Sequence, residues 1–165
     1  MSKKIVDEIE KKYLLDWIYN NKFNFNSNNV SKNRYYLQIN HTFPKLFFDL
    51  KKRIIINEKI KQYKDETFYF GDLISYIENG GKVHRHIDPT IKNYDHCRYN
   101  VFLSIPEKGG MPIYNNVIQN VSEGEYIKCL SSSVYHESQE VYGNKPRIMI
   151  SYGFFINREK KYEYK

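Results

Sequence analysis

Gly80-Gly81-Lys82-Val83-His84-Arg85-His86-Ile87-Asp88 is the stretch on which the reading of the whole chain turns. Side chains along an extended strand alternate between two faces. His84, His86 and Asp88 therefore share one face, and Val83, Arg85 and Ile87 share the other. His86-x-Asp88 sets an imidazole beside a carboxylate, which means little until a third ligand arrives. His136, in Ser133-Val134-Tyr135-His136-Glu137, is that third group, far enough along for several strands to intervene and return. Two imidazoles and one carboxylate suit one face of an octahedral Fe(II), leaving three positions for a chelating co-substrate and dioxygen.

The totals bound the class. With 165 residues, 41% of them hydrophobic and 27% charged, the chain reads as one soluble globular domain with its own core. Sixteen Tyr and ten Phe favour a mainly β core. No apolar run is long enough to span a bilayer, and Met1-Ser2-Lys3-Lys4 turns charged too soon for a signal peptide. Cys97 and Cys129 form neither a disulfide framework nor a zinc pattern, so both are read as buried free thiols in a cytoplasmic protein. The net charge of +7 permits a nucleic-acid partner, but the basic residues are spread without an Arg-rich patch, so that partner is not favoured.

Along the chain, apolar residues at Ile5, Ile9, Tyr13, Leu14, Trp17 and Ile18 predict a helix over 3–20, capped by Ser2. The Asn-rich stretch Asn20–Asn33 reads as a loop with a short strand at Phe23–Phe25, and Tyr35–Ile39 as a strand. A second helix is expected from Thr42-Phe43-Pro44 to Asn57, with Phe47, Leu50 and Ile54 on one face. Strands are then expected at Phe68–Ile77, Val83–Asp88, Tyr99–Ile105, Ile113–Ile118, Glu125–Leu130 and Ile148–Ile156. Short strands without helices between them indicate a sandwich or jelly roll. Residues 1–66 read as a helical support and 67–157 as the β core.

Arg147 opens the last strand, Arg147-Ile148-Met149-Ile150-Ser151-Tyr152. A guanidinium inside a rolled sheet needs a carboxylate, because a lone buried charge is costly. A dicarboxylate whose other end chelates the metal satisfies both groups. Asn100 is polar in an otherwise apolar strand and shares a face with Arg98 and Phe102.

From Tyr76 and Gly80, through His86-x-Asp88, Arg98–Pro106, Gly109-Gly110-x-Pro112, Glu123-Gly124 and His136, to Pro146-Arg147 and Gly153-Phe154, the chain resembles the Fe(II)/2-oxoglutarate-dependent oxygenases, in their prolyl-hydroxylase-like branch. The likeness spans a little over half of the sequence. It implies a double-stranded β-helix, a jelly roll with N-terminal helices packed on one sheet. It implies that His86, Asp88 and His136 hold iron and that Arg147 pairs with the far carboxylate of 2-oxoglutarate. Many relatives carry Ser or Thr two residues after that Arg; here the position is Met149, so Tyr76 or Asn100 is expected to supply the hydrogen bond. The implied cofactors are Fe(II), 2-oxoglutarate and O2. The implied reaction converts 2-oxoglutarate to succinate and CO2 while hydroxylating a substrate C–H.

Arg98 and His84 are assigned to the substrate side, and His96 to a loop or substrate-side surface. The expected substrate is a peptidyl or amino-acid side chain, with small molecules as a further class. A nucleic-acid dealkylase of the same superfamily, a cupin-like metalloenzyme and a non-catalytic jelly-roll module binding a metal or anion are the alternatives. Arg147 speaks against the cupin, and retention of all three ligands against the module.

Overall fold

A computed structural model of the chain describes residues 1–67 and 71–157. In chain order the elements are β1 (Lys3–Lys4), α1 (Glu8–Asn20), a 3-10 turn (Lys22–Asn24), β2 (Asn26–Ser27), β3 (Arg34–Gln38), α2 (Lys45–Asn57), β4 (Tyr63–Asp65) and β5 (Leu73–Ile77). There follow β6 (Tyr94–Ser104), β7 (Lys108–Gly109), β8 (Pro112–Tyr114), β9 (Val117–Ile118), β10 (Glu125–Cys129), β11 (His136–Ser138), β12 (Val141–Tyr142) and β13 (Arg147–Asn157).

The larger sheet runs β1-β10-β6-β13-β5-β3-β2, with β4 on the far end of β13. Facing it are β11-β8-β9 and the pair β12-β7. All the pairings are antiparallel. Two sheets of short strands with both helices on the outside of one of them is a double-stranded β-helix. The first 66 residues also supply β1 to β4, so the support is part of the sheet.

The larger sheet is buried on both faces, and strand periodicity divides the work. On β6, Cys97, Tyr99, Val101 and Leu103 point outward to the helices; on β13, Ile148, Ile150, Tyr152 and Phe154 do the same. They meet Leu14 and Ile18 of α1 and Phe47, Leu50 and Ile54 of α2. Each such side chain, fully buried, contributes about 1.5–3 kcal/mol. A smaller inner cluster of Phe102, Val121, Ile127 and Met149 fills one end of the space between the sheets.

Several local expectations are corrected. The first helix starts at Glu8, because Asp7 and Glu10 form a capping box (Glu10 N to Asp7 Oδ1, 2.8 Å), whereas the backbone beside Ser2 is taken by the sheet edge. Ile9 and Tyr13 lie on the exposed side of that helix. Thr42 does not cap α2: its hydroxyl bonds Asn40, and Pro44 holds the cap position. Phe23–Phe25 is largely a 3-10 turn rather than a strand. Ile113–Ile118 is a hairpin, not one strand, since Asn115 and Asn116 both adopt φ > 0 and turn the chain. Val83–Asp88 forms no regular strand: it joins β11 through the His86–His136 bridge and through Val83, whose carbonyl accepts from the Ser138 N–H at 3.1 Å. Phe68–Phe70 of the expected strand Phe68–Ile77 fall outside the described residues. Cys97 and Cys129 are buried and free. No helix among the described residues is long and apolar enough to cross a membrane.

Candidate metal centre and its cavity

His86 and His136 face each other across the bridge and exchange both backbone hydrogen bonds (3.1 and 2.9 Å). Their rings lie 4.1 Å apart, centroid to centroid. Asp88, two residues on, falls on the same face, its N–H fixed to the Ser131 carbonyl at 2.8 Å. His86 Nδ1 lies 2.7 Å from the His84 carbonyl, and His136 Nδ1 lies 3.0 Å from the Val134 carbonyl. A carbonyl can only accept, so each Nδ1 carries the proton and each Nε2 presents a lone pair. Both Nε2 atoms aim at Asp88 Oδ1, at 3.3 and 3.7 Å. One donor atom from each residue lies within 4.8 Å of the others. Two neutral imidazoles and a carboxylate with an open side match the donor set of non-heme Fe(II).

The other oxygen of Asp88 is held from behind. Arg98 Nε approaches Oδ2 at 3.4 Å, and His96 Nδ1 lies 3.7 Å from it. Arg98 is anchored in turn by Glu66 Oε2 (2.7 Å), the Gly71 carbonyl (3.1 Å) and Ser151 Oγ (3.3 Å). Gly153 makes this possible, since a Cβ there would stand 2.7 Å from the Glu66 Cβ. Burial opposes the charge on Asp88, but His86, Arg98, His136 and His96 together hold its carboxyl well below the usual range. A proton on His86 Nε2 would be held by a hydrogen bond to Asp88, which raises the His86 pKa, while burial lowers that of His136.

Two expected residues sit deeper than the sequence suggested. Arg98, expected on the substrate side, lines the cavity but is 8% exposed and braces Asp88. His96 is neither loop nor surface: it sits in β6, 1% exposed, against the Phe155 ring. His84 does lie at the exposed mouth, where its carbonyl orients His86.

A cavity of about 420 Å³ opens beside the three ligands. Arg147 forms part of its wall and is only 3% exposed. One of its nitrogens donates to Met149 Sδ at 3.3 Å, and its plane lies over the Phe102 ring. Nε and Nη1 have no partner among the described residues. Burial pulls the Arg147 pKa down to about 10. Buried N–H groups without acceptors cost free energy, and this guanidinium keeps two such donors on the cavity wall. Asn100 lines the same cavity and donates to the Tyr114 hydroxyl at 3.3 Å.

Tyr76 does not reach the cavity. It packs on the outer face, edge-on to Tyr19, Phe25 and Tyr35, with the Lys22 ammonium over its ring. Its neighbour Ser75 faces inward instead. Sequence reasoning missed Tyr114 and Arg34, both on the cavity wall. Arg34 had a readable signal, a lone cation at the head of an apolar strand; Tyr114 had none among sixteen tyrosines.

No protein-family model matches the chain, and no curated protein matches it in sequence. Solved structures do. The viral collagen prolyl hydroxylase of Paramecium Bursaria Chlorella virus-1, in complex with 2-oxoglutarate, gives a TM-score of 0.69 at 15% identity, over 96% of this chain and 96% of that one. A Trichoplax adhaerens prolyl hydroxylase, bound to a hypoxia-inducible-factor peptide fragment, gives 0.73 at 14%, over 100% and 87%. HygX of Streptomyces hygroscopicus, with nickel, 2-oxoglutarate and hygromycin B, gives 0.72 at 7%, over 94% and 82%. At such identities the likeness is one of fold.

Proposed function

We propose that this chain, which has the double-stranded β-helix of the Fe(II)/2-oxoglutarate oxygenases, prolyl hydroxylases among them, is itself such an oxygenase. The observation that carries the reading is the meeting of His86, Asp88 and His136 beside a buried Arg147 with unanswered N–H groups. His86 Nε2, Asp88 Oδ1 and His136 Nε2 would hold Fe(II) and leave one side open to ligands. Iron, when bound with O2 and 2-oxoglutarate, supplies the oxidation that yields succinate, CO2 and a hydroxylated C–H.

The chain's own groups do the rest. Arg147 receives the far carboxylate of 2-oxoglutarate, and the Tyr114 hydroxyl and Asn100 amide orient it from the side, in the place left without a hydroxyl by Met149. Phe102 and Met149 shield that pair from water, which strengthens it. Arg98, backed by Glu66, keeps Asp88 Oδ2 occupied so that Oδ1 faces the imidazoles. A peptidyl or amino-acid side chain is the substrate class that the prolyl hydroxylase neighbours support, and HygX with its hygromycin B supports a small molecule.

The test is an anaerobic titration with Fe(II) and 2-oxoglutarate, followed by measurement of succinate after oxygen is admitted. Wild type should show the visible band of the chelate and make succinate. Asp88→Ala should keep its far-UV spectrum and lose both signals; turnover of 2-oxoglutarate at the wild-type rate in this variant would overturn the assignment.

A further inference from the structure

Arg34 heads β3, and the sheet register sets it in one lateral row with Ile77 and Arg147: Arg34 pairs with Ile77, and Ile77 pairs with Arg147. Its side chain lines the cavity that holds His86, Asp88 and His136. Burial lowers its pKa, with the Asp88 carboxylate opposing. Among the described residues no carboxylate forms an ion pair with it.

The other cations around the cavity are matched. Arg98 has Glu66 and Asp88. Arg85, at the mouth, has Glu137 at 3.5 Å and the Asn116 side chain. Arg147 answers one carboxylate of 2-oxoglutarate, and Fe(II), with Asp88 offsetting part of its charge, answers the other. Arg34 is left over, and a half-buried guanidinium facing a low-dielectric cavity is costly without an anion.

The backbone leading to Arg34 is also fixed in advance. Asn28 Oδ1 accepts from the N–H groups of Val30 and Ser31 (2.9 and 3.0 Å). Ser31 Oγ donates to the Lys82 carbonyl (2.6 Å), and Asn33 donates to the Asn79 carbonyl (2.7 Å). A group presented on such a braced turn loses little freedom when a ligand arrives. Val30, 77% exposed on the same rim, offers apolar contact to the body of that ligand.

We propose that Arg34 recognises an acidic group, carboxylate or phosphate, on the primary substrate, so that this site oxidises an anionic substrate. The proposal rests on the oxygenase reading given above. Its test uses the full chain loaded with Mn(II) and 2-oxoglutarate without oxygen. Calorimetric titrants are N-acetylated, C-amidated aspartate, glutamate and phosphoserine, against identically capped asparagine, glutamine and serine; N-acetylalanine is compared with its amide. The acidic members should bind and the neutral ones should not, and the better of the carboxylate and phosphate arms identifies the group.

Arg34→Gln should weaken that binding about 10- to 100-fold, and Arg34→Lys by less. The 2-oxoglutarate affinity of Arg34→Gln, read from the visible band of the Fe(II) chelate, should fall far less than that of Arg147→Gln. Equal binding of acidic and neutral probes, or of none, overturns the proposal. So does a loss of 2-oxoglutarate affinity in Arg34→Gln that equals the loss in Arg147→Gln. Should wild type bind the acidic probes through Arg34 yet make no succinate with Fe(II) and oxygen, the oxygenase reading fails while the anion site stands.

Discussion

At the scale of single residues, the site is defined by which polar atoms are answered and which are not. Among the described residues Arg147 Nε and Nη1 are unanswered, and on the proposed function Arg147→Ala should raise the KM for 2-oxoglutarate by about 100-fold or more, the usual cost of truncating one side of a buried charged pair. The iron requirement should change little, as the same steady-state assay would show. Tyr76→Phe should leave that KM within about twofold, because the ring faces the helices and loses no contact of the size that moves affinity tenfold. Gly153→Ala is expected to push Glu66 away from Arg98 and to destabilise the fold by about 1–3 kcal/mol, measurable as a lower urea midpoint with an unchanged slope. The triad itself was legible because a strand's two-residue period puts His86 and Asp88 on one face. The phase of Leu73-Ile74-Ser75-Tyr76-Ile77 was not, because both faces of that strand are buried and both therefore carry apolar residues. The bracing of Arg98 was hidden for another reason: its partner Glu66 comes from beyond another strand, and sequence spacing does not encode such contacts.

At the scale of elements, polar clamps join pieces distant in the chain. Glu123 receives Lys145 Nζ (2.5 Å), Lys11 Nζ (2.9 Å) and the Ile105 N–H (3.0 Å), tying α1 to the ends of β6 and β13. Burial alone would raise its pKa, yet these three donors bring it down to about 2 from 4.5. A carboxyl whose folded pKa is depressed adds stability that is complete above its unfolded value and vanishes as pH falls through the folded one. Glu123→Gln should thus lower stability at neutral pH by about 0.5–1 kcal/mol, since solvent screens a half-exposed pair. The gap from wild type should close between pH 4.5 and about 2, as urea melts across that window would register. The second helix was legible from its apolar face, Phe47, Leu50 and Ile54. The start of the first was misplaced because Ile9 and Tyr13 continue the apolar pattern onto a face left exposed among the described residues.

At the scale of the molecule, one sheet serves as core on one side and as site on the other. Ligands that bind only the folded form add stability by mass action, about 2.7 kcal/mol at a hundredfold excess over Kd. For a chain of this length, saturating Fe(II) and 2-oxoglutarate together under anaerobic conditions should raise Tm by about 5–10 °C, and a chelator should reverse it. The jelly-roll architecture was legible because closely spaced aromatic and β-branched runs, free of intervening helices, leave few other ways to bury themselves. Along β13, Arg147, Met149 and Ser151 serve the cavity while Ile148, Ile150 and Tyr152 serve the helices. Gaining or losing one codon inside that strand would exchange the two sets, driving a guanidinium into the oily layer and an isoleucine toward the ligands. Changes of length in this lineage should therefore be confined to the connections, and the eleven-residue strands β6 and β13 should tolerate exchange of letters but never a shift of frame by one.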